Sequence, residues 1–205
     1  TEMVPLLHLE ENDASTIKYI IGELVRNVLE HAYTDSGAIV AAQYFKNTNR
    51  ISLAICDAGI GLWKGLKIWH PRTDEDAIQL ALTPGISGTT RKEGGTSENA
   101  GAGLFFIKSI AKTTRNNFAI YSGDAAYVLK KTRPDQKKPK LKANPFEDSC
   151  VRETGLARFD GTLVAVDISL DTTVEFKQML DMIGDVYEAA IHERRERKYR
   201  EPNFI

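Results

Sequence analysis

The order of the predicted helices and strands is the feature of this 205-residue chain that most limits its fold. Apolar residues recur at helical spacing to about residue 33, and two strand-like runs, 38–45 and 51–56, follow with only a turn between them. A second helix and further strands come later, at 118–122, 125–129 and 162–170. Because consecutive strands lack intervening helices, we predict an α+β two-layer sandwich, with a mostly antiparallel mixed sheet and its helices on one face.

Composition excludes several classes of protein. The chain is 42% hydrophobic with a formal net charge of −1, so it is neither wholly disordered nor globally basic. No apolar run approaches the roughly 18 residues that cross a bilayer, and we predict no membrane span. The chain has two cysteines, too few for a disulfide framework, and Cys56 lies in an apolar run. This favours a reduced core thiol and a cytoplasmic protein.

Glycine is distributed unevenly along the chain. Nine of the fifteen glycines fall between Gly59 and Gly103. The first motif there, Asp57-Ala-Gly59-Ile-Gly61, directly follows an apolar strand. A carboxylate in that position can accept a hydrogen bond from an exocyclic amine such as that of adenine. The two glycines let the backbone turn sharply and approach a ligand closely.

A second glycine motif, Gly101-Ala-Gly103-Leu104, begins the second predicted helix. Its backbone N–H groups and the helix dipole favour an anion such as phosphate. The spacing is not that of a P-loop, and no βαβ unit surrounds either glycine motif. A Rossmann dinucleotide site is therefore not indicated.

The first helix carries a polar row made of Glu23, Asn27 and His31, which are spaced four residues apart. The row lies at the margin of the apolar stripe, where the wall of a cleft would be. Taken alone, the row favours ordinary boundary residues that share an internal hydrogen bond.

The motifs, in this order, resemble the nucleotide-binding module of the GHKL superfamily, which gyrase-type topoisomerases, Hsp90 chaperones, histidine kinases and MutL share. Glu23-Leu-Val-Arg-Asn27 is similar to the N box of that superfamily, and the two glycine motifs are similar to its glycine boxes. Gly161-Thr162 is similar to its late strand threonine. The resemblance covers roughly residues 13–170 and implies a Bergerat-type fold that binds ATP with Mg²⁺.

The resemblance also implies roles for single residues. Glu23 would act as a general base, Asn27 would ligate Mg²⁺, and Asp57 would accept the adenine amine. Apart from the resemblance, we expect His31 to orient its neighbours rather than to act in catalysis. The remaining residues implied to bind the nucleotide are Gly59, Ile60, Gly61, Gly101, Gly103, Leu104 and Thr162.

Within the superfamily, the run from Glu23 to Tyr33 is similar to the N box of anti-sigma-factor serine kinases and related bacterial regulatory ATPases. This implies an ATPase, or a kinase that transfers the γ-phosphoryl group to a protein, in a regulatory role. The alternative is a nucleotide-gated protein-interaction module, in which ATP orders a lid at about residues 62–100 and turnover is slow or absent.

We therefore predict an ATP-binding domain over residues 1–170 and a C-terminal helix over residues 171–205. That helix is expected to pack on the sheet, to form a homodimer, or to lead to a protein partner or further domain. A basic insertion at about 130–145 interrupts the domain, and it has no interleaved aromatic residues, so nucleic-acid binding is not supported.

Overall fold

The computed structural model describes residues 11–90, 101–133, 135, 140–170 and 175–200. The helices are α1 (Glu11–Asn27), α2 (Gly61–Gly65), α3 (Asp74–Ala81), α4 (Gly103–Thr113) and α5 (Phe176–Arg200). The strands are β1 (Ala38–Phe45), β2 (Arg50–Asp57), β3 (Phe118–Gly123), β4 (Ala125–Leu129), β5 (Cys150–Glu153) and β6 (Phe159–Ser169). A π-helical turn, Val28–Ala32, extends α1.

The strands form one six-stranded sheet in the order β1-β2-β6-β3-β4-β5. Every neighbouring pair is antiparallel, which confirms the predicted α+β class. The long β6 lies near the middle of the sheet and joins the β1–β2 hairpin to the β3–β4 hairpin. Its first residues therefore reach the end of β2, where Asp57 pairs with Thr162.

The helices cover one face of this sheet. Buried residues alternate along β2, so Ile51, Leu53 and Ile55 point toward the helices. The apolar stripe of α1 and almost the whole of α4 pack against them. The C-terminal helix α5 packs on α4 and α1 within the helical layer, where Met179 and Ile183 are buried.

Residues 62–90 of the predicted lid form a packed part of the domain. Leu66, Ile78 and Leu82 are buried, and the indole N–H of Trp69 donates a hydrogen bond to the carbonyl of Ser87 at 2.7 Å. Residues 91–100, the rest of that segment, lie outside the described residues.

The chain just after the predicted basic insertion is anchored by a buried ion-pair cluster. The ammonium groups of Lys108 and Lys112 on α4 both contact the carboxylate of Asp148, and Lys108 and Asp148 are fully buried. Asp148 precedes β5, a strand that the sequence analysis did not predict. No helix in the described part of the chain has the length and apolar character needed to cross a membrane.

Candidate functional site

A cleft of about 130 Å³, partly open to solvent, lies between the C-terminal half of α1, the end of β2 and the start of α4. The structure brings most of the predicted site residues to its walls: Glu23, Asn27, His31, Asp57, Gly61, Gly101, Gly103, Leu104 and Thr162. Gly59 and Ile60 are not among the residues that line it. Ile60 instead lines a separate shallow depression with Trp63 and Phe159.

Asp57 forms the inner end of the cleft. It is the last residue of β2, and strand alternation places it on the same face as Ile55, so its side chain is buried. The amide of Gly59 donates a hydrogen bond to Oδ1 at 2.9 Å, and the backbone of Thr162 also hydrogen-bonds to the carboxylate. Burial raises the pKa of Asp57 above its ordinary value, although the two backbone hydrogen bonds oppose the shift.

Apolar side chains surround the inner end. Leu24 and Val28 of the first helical segment face Ile55 and Val164 of the sheet across it. Leu66 closes it from the region after α2. The inner end therefore combines apolar walls with one buried carboxylate, an arrangement that suits a flat heterocycle carrying an amine.

Gly59 and Gly161 hold the backbone around Asp57 in place. A Cβ at Gly59 would lie 2.1 Å from the carbonyl oxygen of Ala32, and the next amide, of Ile60, donates to that oxygen at 2.9 Å. A Cβ at Gly161, which has a φ of +140°, would lie 2.1 Å from the carbonyl oxygen of Asp57. Both glycines therefore permit close packing of backbone on backbone.

Ser122 is a supporting residue that the sequence analysis missed. Its side chain is fully buried, its Oγ accepts a hydrogen bond from the amide of Leu62 at 2.9 Å, and it donates to the carbonyl of Gly161 at 2.7 Å. It thereby joins the loop after Asp57 to β6. Only the β3–β6 register, which pairs Ser122 with Thr162, reveals this role.

The outer end of the cleft is formed where α1 meets the start of α4. A Cβ at Gly103 would lie only 2.6 Å from Oε2 of Glu23, so the carboxylate lies directly beside the first turn of α4. The N-cap residue of this helix, Ala102, makes no side-chain capping hydrogen bond. The first-turn amides of α4 therefore face a cleft that is polar at this end.

Arg26, another residue that the sequence analysis did not single out, holds the Glu23 carboxylate. Its guanidinium donates to Oε2 of Glu23 at 2.5 Å, and the two side chains are 47% and 14% exposed. Burial raises the pKa of Glu23, whereas the charge and hydrogen bond of Arg26 act to lower it. The Glu23 carboxylate is therefore desolvated, whereas the Arg26 guanidinium that holds it is accessible to solvent.

Asn27 and His31 also face the cleft, on either side of the start of the π-helical turn. Such turns are uncommon within helices and frequently occur at functional sites. Burial lowers the pKa of His31 below its ordinary value, which favours the neutral imidazole at pH 7.

Comparison with known protein families identifies the class of this domain. The model of the histidine kinase-like ATPase domain family matches residues 2–119, more than half of the chain. The chain belongs to this family, and it is a histidine kinase-like ATP-binding domain of the GHKL type. The matched segment contains the N box and both glycine boxes. A comparison with curated proteins finds no match.

Proposed function

We propose that the domain binds ATP with Mg²⁺ and either hydrolyses it or transfers its γ-phosphoryl group to a protein, in a regulatory role. The observation that carries the proposal is the position of Glu23. Its desolvated carboxylate lies against the first turn of α4, at the opposite end of the same cleft from Asp57.

The inner end is proposed to bind adenine. The Asp57 carboxyl group already accepts backbone hydrogen bonds and retains lone pairs that can accept from the exocyclic amine of the base. Thr162, which pairs with Asp57 and lines the cleft, supplies a hydroxyl beside it. Because Gly59 packs on Ala32 and Ile60 lies outside the cleft, we propose that these two residues shape the loop.

The outer end is proposed to hold the phosphates. The backbone amides at residues 101–104, at the start of α4, offer donors to phosphate oxygens, and the side-chain oxygen of Asn27 offers a ligand for Mg²⁺. The described residues contain no group of three or more acidic, histidine or cysteine side chains that could hold a metal alone. A Mg²⁺ ion bound here supplies positive charge that neutralises the phosphate oxygens.

Glu23 is proposed as the general base. Burial raises its pKa and so increases its basicity, and Arg26 fixes the direction of its carboxylate. Accepting a proton from water would lead to hydrolysis, and accepting one from a serine hydroxyl would lead to protein phosphorylation. The similarity of the N box to anti-sigma-factor serine kinases supports the second outcome.

A second candidate function is a nucleotide-gated interaction module. One contact favours it: the amide of Gly85 donates to the carbonyl of Gly101 at 3.0 Å. Ile86, Ser87 and Gly88 also line the cleft. A nucleotide bound at the phosphate end would therefore contact the segment that follows α3. A resulting change in the position of that segment would create or hide a partner surface.

Turnover of radiolabelled ATP by the wild type and by Glu23→Gln tests the proposal. We expect Glu23→Gln to retain ATP binding but to lose roughly 10²–10⁴-fold in turnover, because a general base is removed. Glu188→Gln, which changes an exposed glutamate of α5 away from the cleft, is the matched control and should keep the wild-type rate. If the wild type with Mg²⁺ and candidate protein substrates shows no turnover above background, the enzymatic proposal is contradicted and the nucleotide-gated interaction module is the function that remains.

A further inference from the structure

The C-terminal helix α5 contacts both helices that form the outer end of the cleft. Near its start, the ring of Phe176 lies 5.7 Å from that of Tyr19 on α1, measured between centroids. Tyr19 is one turn before Glu23 on the same helix. Further along α5, the ring of Tyr187 lies 5.9 Å from that of Phe106, in the first turn of α4. The first half of α5 is therefore packed against the two elements that carry Glu23 and the second glycine motif.

The later turns of α5 reach a third element beside the cleft, the chain just after α3, which we call the 84–88 segment. The guanidinium of Arg194 donates a hydrogen bond to the carbonyl oxygen of Pro84. Ala190 and Ile191 are buried one turn earlier. From residue 192 to residue 197, where the exposure of each residue is described, Arg194 is the one residue that is not exposed. Arg194 therefore anchors this end of α5 to the domain.

The charge of Arg194 complements the end of α3. That helix has acidic residues in its first turn, at positions 74–76, and no basic residue in its last turn. The carbonyl groups at the C-terminal end of a helix carry partial negative charge and are stabilised by a nearby cation. Pro84 lies three residues after Ala81, the last residue of α3. Arg194 therefore supplies, from another helix, the positive charge that α3 itself lacks at this end.

A single peptide group joins Arg194 to the second glycine motif. The carbonyl of Pro84 and the amide of Gly85 belong to the same peptide group, and the amide of Gly85 donates to the carbonyl of Gly101 at 3.0 Å. The packing here is close, because a Cβ at Gly101 would lie 2.3 Å from the carbonyl oxygen of Ile86. Since a peptide group is planar and rigid, a rotation that changes one of these hydrogen bonds also changes the other.

We infer that α5 is coupled to nucleotide binding through this peptide group, with Arg194 as the positioning residue that carries the coupling. A phosphate bound to the amides at residues 101–104 holds Gly101, and Gly101 holds the Pro84–Gly85 peptide that accepts from Arg194. By linkage, the nucleotide strengthens the anchoring of α5 by the same factor by which an anchored α5 strengthens nucleotide binding. The inference rests on the proposed function and adds that α5 is the element through which nucleotide binding is regulated.

Hydrogen exchange measured by mass spectrometry on the whole chain tests the coupling without a substitution. The free protein is compared with protein saturated with Mg²⁺ and adenylyl imidodiphosphate, an ATP analogue that is not hydrolysed. We expect the amides of residues 190–197 to exchange at least about 5-fold more slowly with the analogue, since couplings between sites are typically 5–150-fold. Strand β5, at the other edge of the sheet from β1, is the internal control and should exchange at an unchanged rate.

Arg194→Met tests the residue itself, because it removes the guanidinium but keeps an apolar stem. We expect the Kd of the analogue, measured by isothermal titration calorimetry, to rise by at least about 5-fold and the slowing of exchange in α5 to disappear. Arg197→Met is the matched control. It removes the same charge from the same helix, where Arg197 pairs with Glu193 and both side chains are exposed, and it should bind the analogue as the wild type does.

The possible results separate this inference from the proposed function. A wild type that does not bind the analogue would overturn both. A wild type that binds the analogue while exchange in α5 stays the same or becomes faster would overturn the coupling alone. Equal affinities of Arg194→Met and Arg197→Met would also overturn it. If Arg194 had only a structural role, Arg194→Met would lower the free energy of unfolding but leave the response of α5 to the analogue intact, and that result would likewise contradict the inference.

Discussion

The two ends of the cleft each contain a largely buried carboxylate whose pKa is raised by burial, but the two carboxylates are held differently. Backbone amides hold Asp57, and the loop around it is fixed by Gly161 and Ser122. Glu23 is held by the side chain of Arg26, which is itself half exposed. The fold therefore fixes the geometry of the inner end, whereas side chains that can rearrange set the geometry of the outer end.

Replacement of Asp57 by Asn should have the largest effect on binding. The amide NH₂ would present a donor in the place of an acceptor, and a charge-assisted hydrogen bond to the adenine amine would be lost. We expect the affinities for ATP and for ADP to fall together by about 100-fold, or nearly 3 kcal/mol. Isothermal titration calorimetry with each nucleotide measures this.

An equal loss of affinity for ATP and for ADP distinguishes a contact to adenine, which both nucleotides carry, from a contact to the γ-phosphate. Asp160→Asn, which alters an exposed carboxylate near the start of β6, is the control and should bind both nucleotides normally. Circular dichroism should show a folded Asp57→Asn domain. Unchanged affinity in that variant would remove Asp57 from the proposed site.

Replacement of Gly103 by Ala should affect the outer end instead. The added Cβ would lie 2.6 Å from Oε2 of Glu23 and displace the flexible end of that side chain. Since misplacement of a reacting group by about 1 Å can cost as much as 100-fold, we expect turnover to fall by roughly 10–100-fold. ADP affinity should change less than turnover.

Loss of stability should not explain that result, because alanine favours a helix more than glycine does. Gly184→Ala in α5 is the matched control, since a Cβ there meets nothing within 4 Å. If Gly103→Ala turns over ATP at the wild-type rate, the reaction does not depend on the position of the Glu23 carboxylate beside α4, and the proposed role of Glu23 is contradicted.

The sequence predicted those parts of the site that depend on local spacing. Glu23 and Asn27 share a helical row, and Asp57 directly follows an apolar strand, so their convergence on one cleft follows from short stretches of chain. The fold class followed similarly from the order of the elements.

The role of Ser122 could not be predicted in this way, and the pairing of Arg26 with Glu23 was not singled out although it follows from local spacing. Ser122 acts on Gly161 through pairing between strands that are distant in the chain, and Arg26 was one charged residue among many on a helix. The buried Lys108–Asp148 pair was missed for the same reason, because Asp148 follows a lysine-rich stretch whose composition favours an exposed loop. The contacts of Ser122 and Asp148 therefore depend on tertiary register, whereas the Arg26–Glu23 pair is local and follows from i,i+3 spacing on one helix.

Replacement of Ser122 by Ala tests how firmly the inner end is fixed. The change leaves the amide of Leu62 and the carbonyl of Gly161 without their buried partner, which should lower the free energy of unfolding by about 1–3 kcal/mol. Denaturant titration measures this. Ser109→Ala is a close control, because the Oγ of Ser109 is buried and has no hydrogen-bond partner among the described residues. A loss for Ser109→Ala as large as that for Ser122→Ala would show that removing any buried hydroxyl is sufficient.

Replacement of Arg26 by Gln should give the smallest effect, a shift in the pH profile. A general base works only when ionised, so turnover should decline as the pH falls through the pKa of Glu23. Burial raises that pKa and the Arg26 charge opposes the rise, so removal of the charge should raise it further. The acid limb of the profile of turnover against pH should therefore move to higher pH in Arg26→Gln.

Arg26→Lys separates this electrostatic role from a purely structural one. Lysine keeps the positive charge but not the guanidinium geometry, so its acid limb should stay close to that of the wild type even if its maximal rate is lower. If Arg26 only packed against the helix, both variants would change the rate without moving the limb. An acid limb that moves in Arg26→Gln but not in Arg26→Lys would show that the solvent-accessible Arg26–Glu23 ion pair controls the ionisation of Glu23. Asp57, which backbone amides hold, has no such side-chain partner among the described residues.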